Sequence, residues 1–363
     1  MTNFVPKILD MLVKQRDLSW DFVKSILMFL IVFGHFCPAG ESWTPVTRII
    51  GLCTIPGFFF VSGYFQSNIT NLSDLIEKYR KSLIRILVPM VSWGLIYVML
   101  NLVQQLFSKE ISDVYGVLLF IKYSPYYIAG IYWFLTALLF CIILGSLFSW
   151  IIYLNELIGL LLTAISAFCF CFVSPIFMEH YHFSFIWFFY VTGMLYNHIG
   201  AIFSNNLHLL WDYIFIMLFI FVIIIGVQYE PQFTFYYAPN IIGESSISFV
   251  IFRYILYLIA TVSLIYGILA IYNRFKGKRI ISLFASYGVD TLFIYCSHVL
   301  ALVFIYRPFV ISHLYCEHGN WIDRINEHVA GLLLSLLIYY LMQNLCLYCK
   351  KFRWLRFFFM GLK

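Results

Sequence analysis

Ten stretches of this sequence stay apolar long enough to cross the hydrocarbon core of a bilayer, near 22–40, 47–66, 83–106, 131–149, 157–175, 183–199, 210–228, 249–272, 285–306 and 329–349. A core about 30 Å thick takes roughly 20 helical residues, and a helix satisfies its own backbone groups inside it. The chain therefore reads as an all-α polytopic membrane protein, a bundle of about ten transmembrane helices. With 63% of its 363 residues hydrophobic and 11% charged, it has too little polar surface for a soluble fold. No Pro/Gly/Ser-rich or charge-rich linker divides the runs, so residues 1–363 read as a single membrane domain. The opening MTNFVPKILDMLVKQRDLSWD has no compact apolar core before a small-residue cleavage site, so no removable signal peptide is expected. The aromatic-rich stretch at 112–130 is expected to be an additional re-entrant or interfacial helix.

Basic residues are held on the cytoplasmic side of a membrane, and their distribution here is lopsided. Lys7, Lys14, Arg16 and Lys24, then Lys78, Arg80, Lys81 and Arg85, then Arg274, Lys276, Lys278 and Arg279, then Lys350, Lys351, Arg353, Arg356 and Lys363 all fall on one side of a ten-span topology. Arg48, Lys109, Lys122, Arg253, Arg307 and Arg324 remain for the other. Both termini are thus expected to be cytoplasmic. The net charge of +6 comes from helix ends, which points to topology and lipid contact rather than to nucleic acid. The cysteines lie mostly within apolar runs and suggest no disulfide framework. Neither Cys346-x-x-Cys349 nor the cluster Glu179, His180 and His182 is specific enough to indicate a metal, so none is expected.

Ionisable groups inside a span are expensive to bury and mark functional positions. The first span, WDFVKSILMFLIVFGHF, holds Asp21, Lys24 and His35. Eleven helical steps turn about 20° past three full turns, so Lys24 and His35 share a face, about 16 Å apart along the axis. Read alone, Lys24 is equally an anchor that snorkels to the interface, and Asp21 equally a helix-terminus cap. His35 is harder to assign to packing, because a buried imidazole needs a partner for each ring nitrogen. His298 lies deep in the ninth span, one turn after Tyr295; it reads as a site residue or as a satisfied core histidine.

Several motifs occur in the order found in one family. Lys24-x10-His35 with Asp21 before it, IPGFFFVSGYF (Ile55 to Phe65), YRKSLIRILVP (Tyr79 to Pro89), YWFL (Tyr132 to Leu135) and SYGVDTLFIYCSH (Ser286 to His298) together resemble the membrane acyltransferase-3 family, the integral membrane O-acyltransferases of cell-surface glycans. Where many members carry Arg in the first motif, this chain has Lys24. The charge is kept and the bidentate fork is lost. The resemblance implies transfer of an acyl group, acetyl in the simplest case, from acetyl-CoA to a hydroxyl of a cell-envelope glycan or a lipid-linked precursor. No extra hydrolase-like domain is expected after the last span, so acceptor binding is expected to fall to the membrane domain or to another protein.

That chemistry assigns roles. A neutral imidazole suits removal of the hydroxyl proton, which makes His35 the candidate base, with Asp21 and His298 as further catalytic candidates. Coenzyme A needs cations at the inner face, and Lys24, Arg80, Lys81 and Arg85 are the candidates, with positive-inside anchoring as the other reading of the same charges. Tyr64, Trp133 and Tyr295 are candidate substrate-binding aromatics. No Ser or Cys is placed as an obvious nucleophile beside His35, so direct attack is favoured over an acyl-enzyme, with Ser62 unsupported. The expected partners are an acyl-CoA, a glycan acceptor and the bilayer of a bacterial inner membrane. A saccharide transporter is the competing function, since a bundle with a few buried polar groups also suits a sugar path.

Overall fold

The computed structural model describes residues 17–36, 45–111, 113–172, 183–203, parts of 214–224, 247–304 and 321–362. Among these residues the fold is all helical. The elements are α1 (Leu18–Phe36), α2 (Pro45–Tyr64), α3 (Leu72–Phe107), α4 (Val114–Ile131), α5 (Trp133–Leu154), α6 (Glu156–Phe172), α7 (Phe183–Phe203), α8 (Ile247–Phe275), α9 (Arg279–Tyr287), a 3-10 turn at Gly288–Asp290, α10 (Thr291–Ala301), α11 (Trp321–Lys350) and α12 (Arg353–Met360).

Seven helices among the described residues are long and apolar enough to cross a membrane, and Cys53–Tyr64 and Glu156–Phe170 are shorter apolar helices. Large apolar side chains face outward, as on α6, where Leu157, Ile158, Leu161, Leu162, Ile165 and Phe168 are exposed. An outward apolar surface of this kind is at home in lipid. The chain is a multi-pass membrane protein.

Three expectations change in detail. The 112–130 stretch forms the regular helix Val114–Ile131, long and apolar enough to span by length and composition, with Phe120 and Ile128 as its buried residues. The run expected to begin at 83 begins at Leu72, so all of the basic segment YRKSLIR, and not Arg85 alone, lies within α3, about two to four turns from its start. The Asn71 side chain starts that helix by accepting from the Asp74 amide at 2.9 Å. The expected span 285–306 is broken by the 3-10 turn at Gly288–Asp290, which packs against α1.

Helix α1 is the hub, packing against α2, α8, α9, α10, α11 and the 3-10 turn. Its first turn is capped by Asp17, which accepts from the Ser19 amide at 2.9 Å. Asp21, one turn on, pairs instead with Lys24. Helices α2 and α7 cross closely because each offers a glycine: a Cβ on Gly63 would lie 1.9 Å from the Tyr190 carbonyl oxygen, and one on Gly193 would lie 2.0 Å from that of Phe60. Without a hydrophobic force between helices in lipid, such small-residue contacts and interhelical hydrogen bonds hold the bundle. Tyr190 donates to Gln66 Oε1 at 2.6 Å, and Gln66 Nε2 donates to Ser146 at 3.0 Å, tying the segment just after α2 to α5 and α7.

Candidate active site

The two ends of α1 hold different chemistry. At its first turns Lys24 Nζ lies 2.6 Å from Asp21 Oδ1. Asp21 is only 2% exposed because the turn at Gly288 lies against its backbone. A Cβ on Gly288 would come within 1.7 Å of the Asp21 carbonyl oxygen, so only glycine permits this approach. Around the pair, Trp20 stacks on Tyr64 at 4.3 Å, and Lys24 Nζ sits 5.8 Å from the centre of the Phe65 ring. Asp21 is thus an ion-pair partner rather than a cap, and it neutralises much of the charge expected of Lys24.

At the last turn of α1, the His35 ring lies 5.4 Å from that of His298 on α10, centre to centre, tilted by 36°. His35 is exposed, not enclosed as expected from its position in the span. His298 is 1% exposed. Its Nδ1 is 3.2 Å from the Ile294 carbonyl oxygen, which can only accept, so Nδ1 carries the proton and Nε2 presents its lone pair. Nε2 is buried and has no hydrogen-bond partner among the described residues. Among the described residues His298 is therefore not a satisfied core histidine, and an unused polar atom at this depth is costly.

Aromatic residues surround this pair. The Tyr295 ring is 5.5 Å from His298 and 5.0 Å from Phe134, and Tyr132 donates to the Cys296 carbonyl oxygen at 3.2 Å. Trp133, half-buried, contacts Phe134 at 6.3 Å. The segment YWFL and the segment ending at His298 thus converge, although they are more than 150 residues apart in the chain. Tyr64 does not join them. It belongs to the lysine end with Trp20, about 20 Å away along α1.

The expected four-cation cluster is also divided. Arg80, Lys81 and Arg85 are exposed on α3, which does not pack along α1 to any extent, so Lys24 stands apart from them. Lys81 pairs with Glu77 at 2.5 Å, one turn earlier on the same helix. The Ser62 hydroxyl donates to the Phe58 carbonyl oxygen at 2.7 Å, a helix-backbone bond that occupies the proton a nucleophile would have to lose. Cys37, Glu179, His180 and His182 lie outside the described residues.

One polar centre escaped the sequence reading. Asp290, 4% exposed, receives Lys350 Nζ at 2.6 Å and Gln343 Nε2 at 3.2 Å, which links the broken turn to α11. In the sequence Lys350 reads only as one of the basic residues at a helix end. The sequence signal for this centre is an aspartate inside an apolar run.

The family model described as an acyltransferase domain matches residues 17–344, from the aspartate that caps α1 to the last turns of α11. Nodulation protein NolL of Sinorhizobium fredii (strain NBRC 101917 / NGR234) is 28% identical over 141 residues, 37% of this chain and 37% of that protein. The match thus spans little more than a third of the length of that relative. No solved structure matches. The family match encloses α1 with its lysine and histidine, the basic start of α3 and the His298 helix, and the chain belongs to the membrane acyltransferase-3 family.

Proposed function

We propose that the chain is a membrane O-acyltransferase that moves an acyl group, acetyl in the simplest case, from acyl-CoA to a hydroxyl of a cell-envelope glycan or its lipid-linked precursor. The observation that carries this reading is the contact of an exposed His35 with a buried His298 whose Nε2 has no hydrogen-bond partner among the described residues. In this reading the acceptor enters at the histidine end, where the half-buried Trp133 offers a ring to a sugar and the buried Tyr295 backs the His298 ring. His35 takes the hydroxyl proton as the hydroxyl oxygen attacks the thioester carbonyl carbon. The tetrahedral intermediate collapses, the C–S bond breaks, and the departing thiolate recovers the proton from the His35 imidazolium. His298 is a positioning residue, fixed by its bond to Ile294 and offering an acceptor beside His35.

The donor's phosphates belong at the opposite end, with Arg80 and Arg85 as their principal ligands. Lys24 and Lys81 add charge there, each already engaged by a carboxylate. The depth fits a long donor. Trp93 of α3 meets Phe293 of α10 with ring centres 5.2 Å apart. Arg85 lies about 12 Å below Trp93 and His298 about 7 Å above Phe293, so phosphate and imidazole are separated by about 20 Å along the bundle. The extended pantetheine arm would bridge that distance. The lysine and arginine distribution supports a cytoplasmic basic end, with both termini there, in a bacterial inner membrane.

Mass spectrometry of the surface glycan from cells with and without this chain tests the proposal. The expected result is one acyl mass lost on deletion, restored by the wild-type chain and not by His35→Ala. A glycan identical in all three strains overturns it.

A further inference from the structure

Helix α12 carries a cation that neither the motifs nor the site described so far employ. The turn after α11 sends the chain back onto α3: Lys351 and Phe352 donate their amides to the Tyr348 and Cys349 carbonyl oxygens, and α12 follows. Leu355 and Phe359 pack inward and Met360 is buried, while Trp354 and Phe358 face out. Two contacts clamp α12 in place. Trp93 Nε1 donates to the Phe359 carbonyl oxygen at 3.3 Å, and the two rings lie 4.9 Å apart. Gly361, left-handed at φ 63°, ends the helix directly on Arg85: a Cβ there would fall 2.6 Å from the Arg85 Cα. The Gly361 amide in turn points back to the Arg356 and Phe357 carbonyl oxygens.

Arg85 and Arg356, remote in sequence, are thereby brought to one helix crossing. Lys78, two turns before Arg85 on α3 and half-buried, feels the positive charges of Arg85 and Lys81. Neither arginine has a carboxylate partner among the described residues, and Arg356 Nε is buried without an acceptor. Elsewhere in the bundle Lys24, Lys81 and Lys350 each have one. Two guanidiniums on crossing helices without a carboxylate among the described residues, one of them with a buried N–H that has no acceptor there, call for an anion. Guanidinium forks match phosphate oxygens two at a time, which a lysine cannot do.

We propose that Arg356 and Arg85 form a phosphate site at the crossing of α12 and α3, filled by the phosphates of the acyl-CoA donor. This assignment rests on the acyltransferase reading. A phospholipid headgroup presents the same chemistry, and the test separates the two sources.

Binding of coenzyme A and of pantetheine, which lacks the phosphates, is measured on the full-length chain in nanodiscs of phosphatidylcholine. Thermal stability is measured in the same nanodiscs with and without phosphatidylglycerol. Arg356→Gln should weaken coenzyme A about tenfold, the loss of one charge-assisted hydrogen-bonded contact, and leave pantetheine unchanged. Arg356→Lys should recover part of the loss. Arg353→Gln, which removes an exposed cation from the same helix, should change coenzyme A affinity less than about twofold. An equal loss from Arg353→Gln would mean diffuse charge and would overturn the site. If Arg356→Gln keeps coenzyme A affinity but loses stabilisation by phosphatidylglycerol, the occupant is a lipid and the donor assignment is overturned. If it changes neither, no phosphate site exists there. Wild-type chain that binds no coenzyme A would count against the acyltransferase reading itself, and the lipid arm would still report on the site.

Discussion

The two ends of α1 treat buried polarity in opposite ways. At the lysine end each buried carboxylate has a cation: Asp21 has Lys24, and Asp290 in the adjoining turn has Lys350 and Gln343. At the histidine end His298 is buried with one ring nitrogen committed to its own helix and the other to nothing among the described residues. Paired charges are what a bundle uses to fix helix positions, since each ion removed from water must recover its hydration in a specific contact. An unspent acceptor next to an exposed imidazole gives no such return to stability. The difference separates the part of the molecule that holds the fold from the part poised for chemistry.

The largest expected effect tests the chemical end. His35→Ala should reduce acyl transfer in membranes by about 10²–10⁴-fold, the usual contribution of a general base, with coenzyme A affinity and thermal midpoint close to wild type. Normal turnover in a well-expressed variant would move the base elsewhere, with His298 the next residue to examine.

The structural end should respond in the other currency. Lys350→Met leaves the Asp290 carboxylate buried with only the Gln343 amide, and removal of one partner from such a pair costs about 3–5 kcal/mol. Lys350 is one-third exposed, so water can reach the gap and the lower end of that range applies. Adding Asp290→Leu should restore most of the loss, because an apolar replacement of a whole buried pair is often neutral. Thermal unfolding in detergent measures both. A double variant no more stable than the single would show that Asp290 does more than answer Lys350.

How much of this was legible in the sequence depends on whether the information is local. The helices follow from apolar runs, and the shared face of Lys24 and His35 follows from helical pitch. The pairing of Asp21 with Lys24 was within reach, since three residues along a helix is contact distance. What stayed hidden needed the crossings. Gly288 decides which turn covers Asp21, and Gly361 decides that α12 reaches Arg85, yet a glycine in a sequence does not say what approaches it. Tyr64 and Trp133 looked alike as aromatic candidates and lie at opposite ends, because α2 and α5 meet the site at different depths. The cations read as one cluster are spread over α1 and α3, which only the packing of the intervening helices reveals.

A smaller effect sharpens the contrast from the histidine side. Replacing a buried polar atom that lacks a partner by an apolar group should not cost stability, so His298→Leu should keep or raise the thermal midpoint. Turnover should nevertheless fall about 5- to 150-fold, the equivalent of one lost hydrogen bond of about 1–3 kcal/mol in the reacting complex. His298→Gln, which retains an acceptor, should recover part of that rate. A variant that loses stability and activity together would place His298 with the structural residues and remove the distinction drawn between the two ends.

The smallest effect concerns Lys81, a charge that is paired but not buried. Its ammonium contacts Glu77 one turn earlier, with both side chains at least half exposed to the surroundings. Such a pair gains little over hydration, and salt screens what remains beyond about 10 Å at 0.1 M. Lys81→Ala should therefore leave the thermal midpoint unchanged and alter coenzyme A affinity less than about twofold at that salt, although Lys81 lies in the same basic run as Arg85. Arg85→Gln, which removes a guanidinium with no carboxylate partner among the described residues, should weaken binding about tenfold under the same conditions. Titrations of both variants at low and moderate salt make the comparison. If Lys81→Ala costs as much as Arg85→Gln and both losses vanish together as salt rises, the donor is drawn by the summed field of α3 rather than held by particular arginines, and the site at the α12 crossing would lose its reason to be specific.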